Sequence, residues 1–297
     1  MVWRVGPYMV KVGLHSWIFA EAENLIYLER NSDVRTPKVY AAFSSQDVNV
    51  FDIPEKTDKD QADRNPPVYY YLVEEYIEGE TLEDVFEELK DRCHIYWKIG
   101  DLLGEQMQKL RSVPAEDRNH FGRVGGKAYP TGLTPVRHAP APDFHDLGPF
   151  NSYEKFVERM MHSAKINQAL AAISDDFPPA TRMCFRDAPS VFIDHAGPSA
   201  RVPVLSHLDI QDHNIIVKLL RDEKGKVIDV QEVVLIDWAT LCWMPSWYEA
   251  GVFCRYECSR DELYQSVGST VLTSMGHVNM GPTAFFAMCI QKGAFQT

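Results

Sequence analysis

Nowhere does the chain string together the ~18 apolar residues that a membrane span requires. The opening residues, MVWRVGPYMVKVG, lack both a long apolar stretch and a small-residue cleavage site. Cysteine is sparse: there are six, at 93, 184, 242, 254, 258 and 289. The only close pair, Cys254 and Cys258, has no second Cys/His pair to complete a zinc site. A disulfide scaffold is thereby excluded, and reduced thiols in a cytoplasmic protein are expected. Positive charge is short as well, with 30 Lys and Arg against 42 Asp and Glu. An acidic surface repels phosphate backbones and argues against nucleic acid as a partner. It does not exclude a nucleotide, because a local lysine, metal ions and backbone N–H groups hold a small anion whatever the global charge.

What is present is a 297-residue chain, 45% apolar, long enough for one large domain or two lobes. Residues 2–12 predict short strands around a Gly-Pro turn. WIFAEAENLIYLER, residues 17–30, places Ile18, Ala22, Leu25 and Ile26 at helical intervals. PKVYAAF and VYYYLVEEYI predict strands, separated by a polar loop. Helices follow at about 81–90, 95–111 and 152–173. Between the last two lies an irregular stretch, 112–151, rich in proline, glycine and histidine, and so long a loop in a compact domain is usually functional. HNIIVKLL and VVLIDWATL, joined by RDEKGK, predict a hairpin. The last 40 residues have a partly helical pattern. The order implies an α+β protein: a small strand-rich N-terminal lobe over residues 1–77, a mainly helical lobe over 78–297, and a ligand cleft between them.

The chemistry concentrates in SHLDIQDHNIIVK. Four residues separate Asp209 from Asn214, and Asp237 ends the next apolar run, so a hairpin would bring two carboxylates and an amide to one mouth. Oxygen ligands of this kind suit Mg²⁺, and a carboxylate free of metal can accept a proton from an attacking hydroxyl. Taken alone, the spacing favours a turn in which Asp and Asn satisfy backbone donors. Lys11, a charge between valines on a predicted strand, is equally a solvated edge residue or a phosphate ligand. The next helix offers Glu21 and Glu23 as partners for it. Trp238, Trp243 and Trp247 could wall a cationic guest, although such density is more often core. A third pattern, His207, Asp209, Asp212 and His213, has the ligand types of a zinc hydrolase but no companion His pair.

Five segments, in order, resemble the aminoglycoside phosphotransferase and choline kinase-like family of the protein-kinase-like fold: MVKVG, EAENLIYLERNSDVRTPKVYAAF, YLVEEYIEGETL, SHLDIQDHNIIV and LIDWATLCWMPSWYEAG. The resemblance covers nearly the whole chain. It implies an ATP- and Mg²⁺-dependent phosphotransferase acting on a hydroxyl of a small-molecule acceptor. Asp209 would be the catalytic base and Asn214 and Asp237 the magnesium ligands. Lys11 would sit on the α- and β-phosphates with Glu21 as its partner, and the backbone of Glu75 and Ile77 would meet adenine. His207 would brace the loop, and 112–151 would border the acceptor. Three departures accompany it. Leu208 stands where the family has glycine, Glu74 where it has an apolar side chain, and only ten residues precede Lys11, so the glycine-bearing lid over the phosphates is expected to be absent. The short N-terminus and Glu74 support an alternative, a pseudokinase-like binding or regulatory protein.

Overall fold

The computed structural model describes residues 1–46, 67–129, 147–172, 186–257, 262–276 and 278–291. A hairpin opens the chain, β1 (Val2–Val5) and β2 (Tyr8–Gly13), turned at Gly6 in the left-handed region (φ 62°). Helix α1 (Trp17–Asn31) is followed by β3 (Val39–Ser45) and β4 (Tyr69–Glu75). The four strands form an antiparallel sheet in the order β1-β2-β4-β3, with Lys11 opposite Leu72 and Met9 opposite Glu74. Helix α1 buries Ile18, Ala22, Leu25 and Leu28, one stripe of its 3.6-residue period, in the same core as Leu72 of β4. Most of the polar loop between β3 and β4 lies outside the described residues.

Beyond β4 come β5 (Glu80–Thr81), α2 (Leu82–Leu89) and α3 (Cys93–Ser112). Thr81 caps α2, its hydroxyl accepting from the Asp84 N–H at 3.0 Å. After β6 (Gly122–Arg123) and α4 (Tyr153–Ala172) follow β7 (Pro203–Ser206), β8 (Ile215–Arg221), β9 (Val227–Leu235) and β10 (Cys242–Pro245). Helices α5 (Tyr248–Glu257), α6 (Glu262–Ser274) and α7 (Met280–Gln291) complete the described fold. Two small antiparallel sheets, β5-β8-β9 and β6-β10-β7, carry the segments on either side of the 207–214 loop. None of the described helices is long and apolar enough to cross a membrane.

The helices expected at 81–90, 95–111 and 152–173 are present to within two residues at each end. The β8–β9 hairpin departs from expectation in its second arm. That arm begins at Val227, six residues before the apolar run VVLIDWATL, because Asp229, Gln231 and Glu232 alternate with buried Val230 and Val233 and break the run. Strands β5, β7 and β10 were not anticipated at all. They are two to four residues long, and β10 is buried throughout, which leaves no alternation to detect.

Among the described residues, two large apolar clusters and a small third one of Val12, Tyr69 and Tyr71 fill the interior. The larger runs from α1 and β4 through α3 to the β8–β9 hairpin, and the second gathers Phe156, Phe192, Trp247 and Phe286 between α4, α5 and α7. Trp238, Trp243 and Trp247 are 0%, 1% and 0% exposed, so they are core and no wall for a ligand. Helices α3 and α6 approach closely over two glycines. A Cβ added at Gly104 would stand 2.4 Å from Ser274 Cβ, and one at Gly100 would stand 2.7 Å from Thr270 Cβ. Because both obstacles lie on a neighbouring helix in a packed core, Gly104→Val should cost about 1–3 kcal/mol of stability by overpacking. Denaturant titration beside wild type is the measurement, and an unchanged midpoint would refute the close approach.

Candidate active site

Lys11 projects from the inner face of β2, where its Nζ meets Glu21 Oε1 of α1 at 2.5 Å and Glu74 Oε1 of β4 at 3.3 Å. Asp237 Oδ1, from the turn after β9, lies 3.9 Å away. Burial by itself would lower the Lys11 ammonium. The carboxylates of Glu21, Glu74 and Asp237 outweigh it and hold the group above its usual value. Of the two glutamates that α1 offered, Glu21 is taken by Lys11. Glu23 faces outward and accepts from Arg123 (3.1 Å) and Lys127 (2.7 Å).

The loop after β7 places Asp209 between two side-chain donors, Gln211 Nε2 on Oδ1 at 2.9 Å and Asn214 Nδ2 on Oδ2 at 3.2 Å. Asn214 Nδ2 also donates to the Asp209 carbonyl at 2.9 Å. With its amide nitrogen committed inward, Asn214 keeps its side-chain carbonyl as an acceptor. The Asn214 main-chain carbonyl accepts from the Ile236 N–H at 3.0 Å, which sets Asp237 beside it. Asp237 is left-handed (φ 62°, ψ 65°), a conformation that short polar side chains tolerate best. Carboxylate and amide oxygens are the donor chemistry of a hard cation such as Mg²⁺, so Asn214 and Asp237 fit one; sulfur and imidazole are not part of this donor set.

His207 does different work. Its Nδ1 accepts from the Asp209 N–H at 3.3 Å, so the proton must sit on Nε2, which faces the Ile236 carbonyl at 3.0 Å. The ring is fully buried against Trp238, with centroids 4.5 Å apart. Burial holds its pKa down at about 4. The imidazole is therefore committed on both nitrogens and joins no zinc set; Asp212 and His213 lie in the 3₁₀ turn leading to β8.

Three features escaped the sequence reading. Leu208 is left-handed (φ 70°), so the exchange of glycine for leucine is a backbone matter: a branched side chain is held where glycine would sit without strain. Glu249 of α5 supplies the restraint, its Oε1 accepting from the His207 and Leu208 N–H groups at 2.8 and 2.9 Å. Burial pushes that carboxyl up to about 7, against the pull of these N–H groups and of Arg111. A charged residue inside the apolar run PSWYEAGVF was the signal for it. Glu74 is the third: it turns inward, 3% exposed, and burial raises its carboxyl to about 7, with Glu21 and Asp237 adding to the effect and Lys11 opposing it.

Glu75 ends β4 and Ile77 follows two residues on. The Glu75 N–H donates to the Lys38 carbonyl at 2.8 Å, and its carboxylate forms a fork with Arg35 at 2.7 and 2.9 Å. Ile77 is buried, and among the described residues its backbone N–H and C=O have no hydrogen-bond partner. Of the 112–151 stretch, Phe121 and Phe150 bridge its ends, and residues 130–146 lie outside the described residues.

A sheet with one helix carrying a Lys–Glu pair, above a helical lobe carrying an Asp–Asn loop and a hairpin Asp, defines a protein-kinase-like fold. Residues 4–269 match the model of the phosphotransferase enzyme family (APH), and the chain belongs to that family. The structure resembles a thermostable mutant of aminoglycoside phosphotransferase APH(4)-Ia in its apo form. The TM-score is 0.55 at 13% identity, over 98% of this chain and 80% of that one. It also resembles a ternary complex of such a mutant with AMP-PNP and hygromycin B, with TM-score 0.51 at 12% identity over 99% and 89% of the two chains. These likenesses show the fold. Among curated proteins, a tRNA-2-methylthio-N(6)-dimethylallyladenosine synthase of Roseobacter denitrificans is 29% identical over 130 residues. The chain spans only 28% of that protein's length, and the match assigns it nothing.

The His207 assignment has a pH consequence. Because its folded pKa, about 4, lies below the ordinary 6.5, the unfolded chain takes up the proton first. The stability the ring contributes is complete above pH 6.5 and is withdrawn as the pH falls towards 4. In denaturation series over that window, the advantage of wild type over His207→Gln should shrink with falling pH; a constant gap would contradict a neutral, buried ring.

Proposed function

We propose that this chain is an ATP- and magnesium-dependent phosphotransferase that moves the γ-phosphoryl group to a hydroxyl of a small-molecule acceptor. One observation carries the reading: contacts run unbroken from Lys11 to Asp237 (3.9 Å), from Ile236 to Asn214 (3.0 Å) and from Asn214 to Asp209 (3.2 Å). Phosphoryl transfer needs a cation on the nucleotide phosphates, oxygen ligands for the metal and a base at the attacking hydroxyl. Those three requirements are met by adjacent side chains drawn from β2, the 207–214 loop and the turn after β9.

In this reading the ammonium of Lys11 holds the α- and β-phosphates, and Glu21 holds Lys11. Asn214 and Asp237 hold magnesium, which when bound supplies positive charge to the phosphate oxygens. Asp209 orients the acceptor hydroxyl and takes its proton as the oxygen bonds to phosphorus and the nucleoside diphosphate leaves. Its two oxygens are fixed by Gln211 and Asn214, so the carboxylate waits in one orientation. The Ile77 backbone, which has no hydrogen-bond partner among the described residues, would receive adenine at the boundary near residue 77 between the two lobes, whereas the Glu75 N–H is already held by the Lys38 carbonyl. The printed titles of the related structures, which hold AMP-PNP with hygromycin B, support a nucleotide and a small acceptor side by side.

Asp209→Asn should cut kcat by about 10²- to 10⁴-fold. ATP affinity in calorimetry and the melting temperature should stay near wild type. Turnover that survives this change would remove Asp209 as the base, full-strength function after the double change Asp209→Ala and Asp237→Ala would favour the binding-protein alternative, and no heat of ATP binding at millimolar magnesium would end the kinase reading. Asp237→Asn should weaken ATP binding in magnesium far more than in its absence, because the lost carboxylate acts through the metal.

A further inference from the structure

Glu74 is 3% exposed, so a carboxylate is buried on the inner face of β4. Burying a carboxylate is costly unless a partner compensates it, and an apolar residue of similar size would fill the position at no such cost. Glu74 has one polar partner. Its Oε1 lies 3.3 Å from Lys11 Nζ, and its Oε2 has no hydrogen-bond partner among the described residues. No backbone N–H, cap or second cation among those residues explains why the carboxylate is there. Lys11 does.

The sheet register explains how they meet. Lys11 pairs across β2 and β4 with Leu72, and Met9 pairs with Glu74. Lys11 and Glu74 are thus diagonal neighbours on one face, within reach of long side chains. Glu21 approaches the same ammonium at 2.5 Å from α1. The two carboxylates differ in what holds them: Glu74 is fixed to Lys11 by strand pairing, whereas Glu21 keeps its place only while α1 stays packed on the sheet.

We propose that Glu74 is a positioning residue that holds the Lys11 ammonium over the nucleotide phosphates jointly with Glu21, so that either carboxylate suffices and only loss of both releases the lysine. This rests on the nucleotide reading given above. It implies that the lysine of this chain, unlike one with a single helix-borne partner, stays in place when α1 shifts.

The test is a double-mutant cycle on the full chain: wild type, Glu21→Gln, Glu74→Gln and the double variant, with AMP-PNP binding in magnesium measured by calorimetry beside steady-state kinetics. Each single change should weaken nucleotide binding by about threefold and the pair by more than about a hundredfold, well beyond the product of the two. Each single change should also raise the nucleotide KM by a larger factor than it lowers kcat. Glu74→Leu separates function from folding. It should melt at or above the wild-type temperature, since a buried charge is removed, yet bind nucleotide as Glu74→Gln does in both backgrounds. The proposal is overturned if Glu21→Gln alone reaches the loss seen in the double variant, or if the Glu74 changes leave binding untouched in the Glu21→Gln background. Failure of wild type to bind AMP-PNP would instead overturn the nucleotide reading and this inference with it, so the two failures are told apart by the wild-type measurement.

Discussion

A lysine ammonium on the inner face of a four-stranded sheet has to be neutralised, and the groups that neutralise Lys11 come from three separate parts of the chain. Glu21 arrives on a helix, Glu74 on the neighbouring strand, and Asp237 on the turn after the β8–β9 hairpin. Each can be there only if its element is packed correctly. Helix α1 is fixed by its apolar stripe and by Asn24, whose buried amide donates to the Trp238 and Ala239 carbonyls at 2.7 and 3.3 Å. The same helix therefore ties the N-terminal sheet to the segment that follows Asp237. Charge neutralisation at one point and hydrophobic packing over the whole interface select the same arrangement.

The second constraint is the shape of the loop that carries Asp209. Its backbone passes through a left-handed leucine, and such a conformation persists only where its surroundings over-determine it. Glu249 grips two consecutive N–H groups from α5, and the neutral His207 ring bonds across to Ile236. The Thr240 hydroxyl donates to the His207 carbonyl at 2.6 Å. These restraints come from three directions and leave the Asp209 carboxylate little freedom. A preorganised carboxylate is worth more to a proton transfer than a mobile one, which gives the strain a purpose in the proposed reaction.

Much of this was legible beforehand, for physical reasons. Strand β4 and helices α1, α3 and α4 announce themselves because an element with one buried face imprints its period on the sequence. Asp209, Asn214 and Asp237 were set apart from an ordinary polar turn only by the motifs that accompany them along the chain. Strands β7 and β10 stayed invisible because four residues, all or nearly all buried, carry no alternation. Glu249 and Glu74 were in plain view as charges in apolar company, but their meaning depends on what faces them, 42 residues away in the case of Glu249 and His207.

The sequence alone determined that a sheet-bearing part precedes a mainly helical one, and it supplied, in order, the lysine, carboxylates and amide on which the proposed phosphoryl-transfer centre rests. Tertiary structure decided which groups meet: that Glu21 and not Glu23 takes Lys11, that Glu74 turns inward as a second partner, and that the three tryptophans belong to the core. It also decided that the leucine before Asp209 is held in the left-handed backbone region. The reason is the same throughout. Periodicity records which face of an element is buried, whereas the pairing of charges depends on distances between elements far apart in the chain, and those distances exist only once the chain has folded.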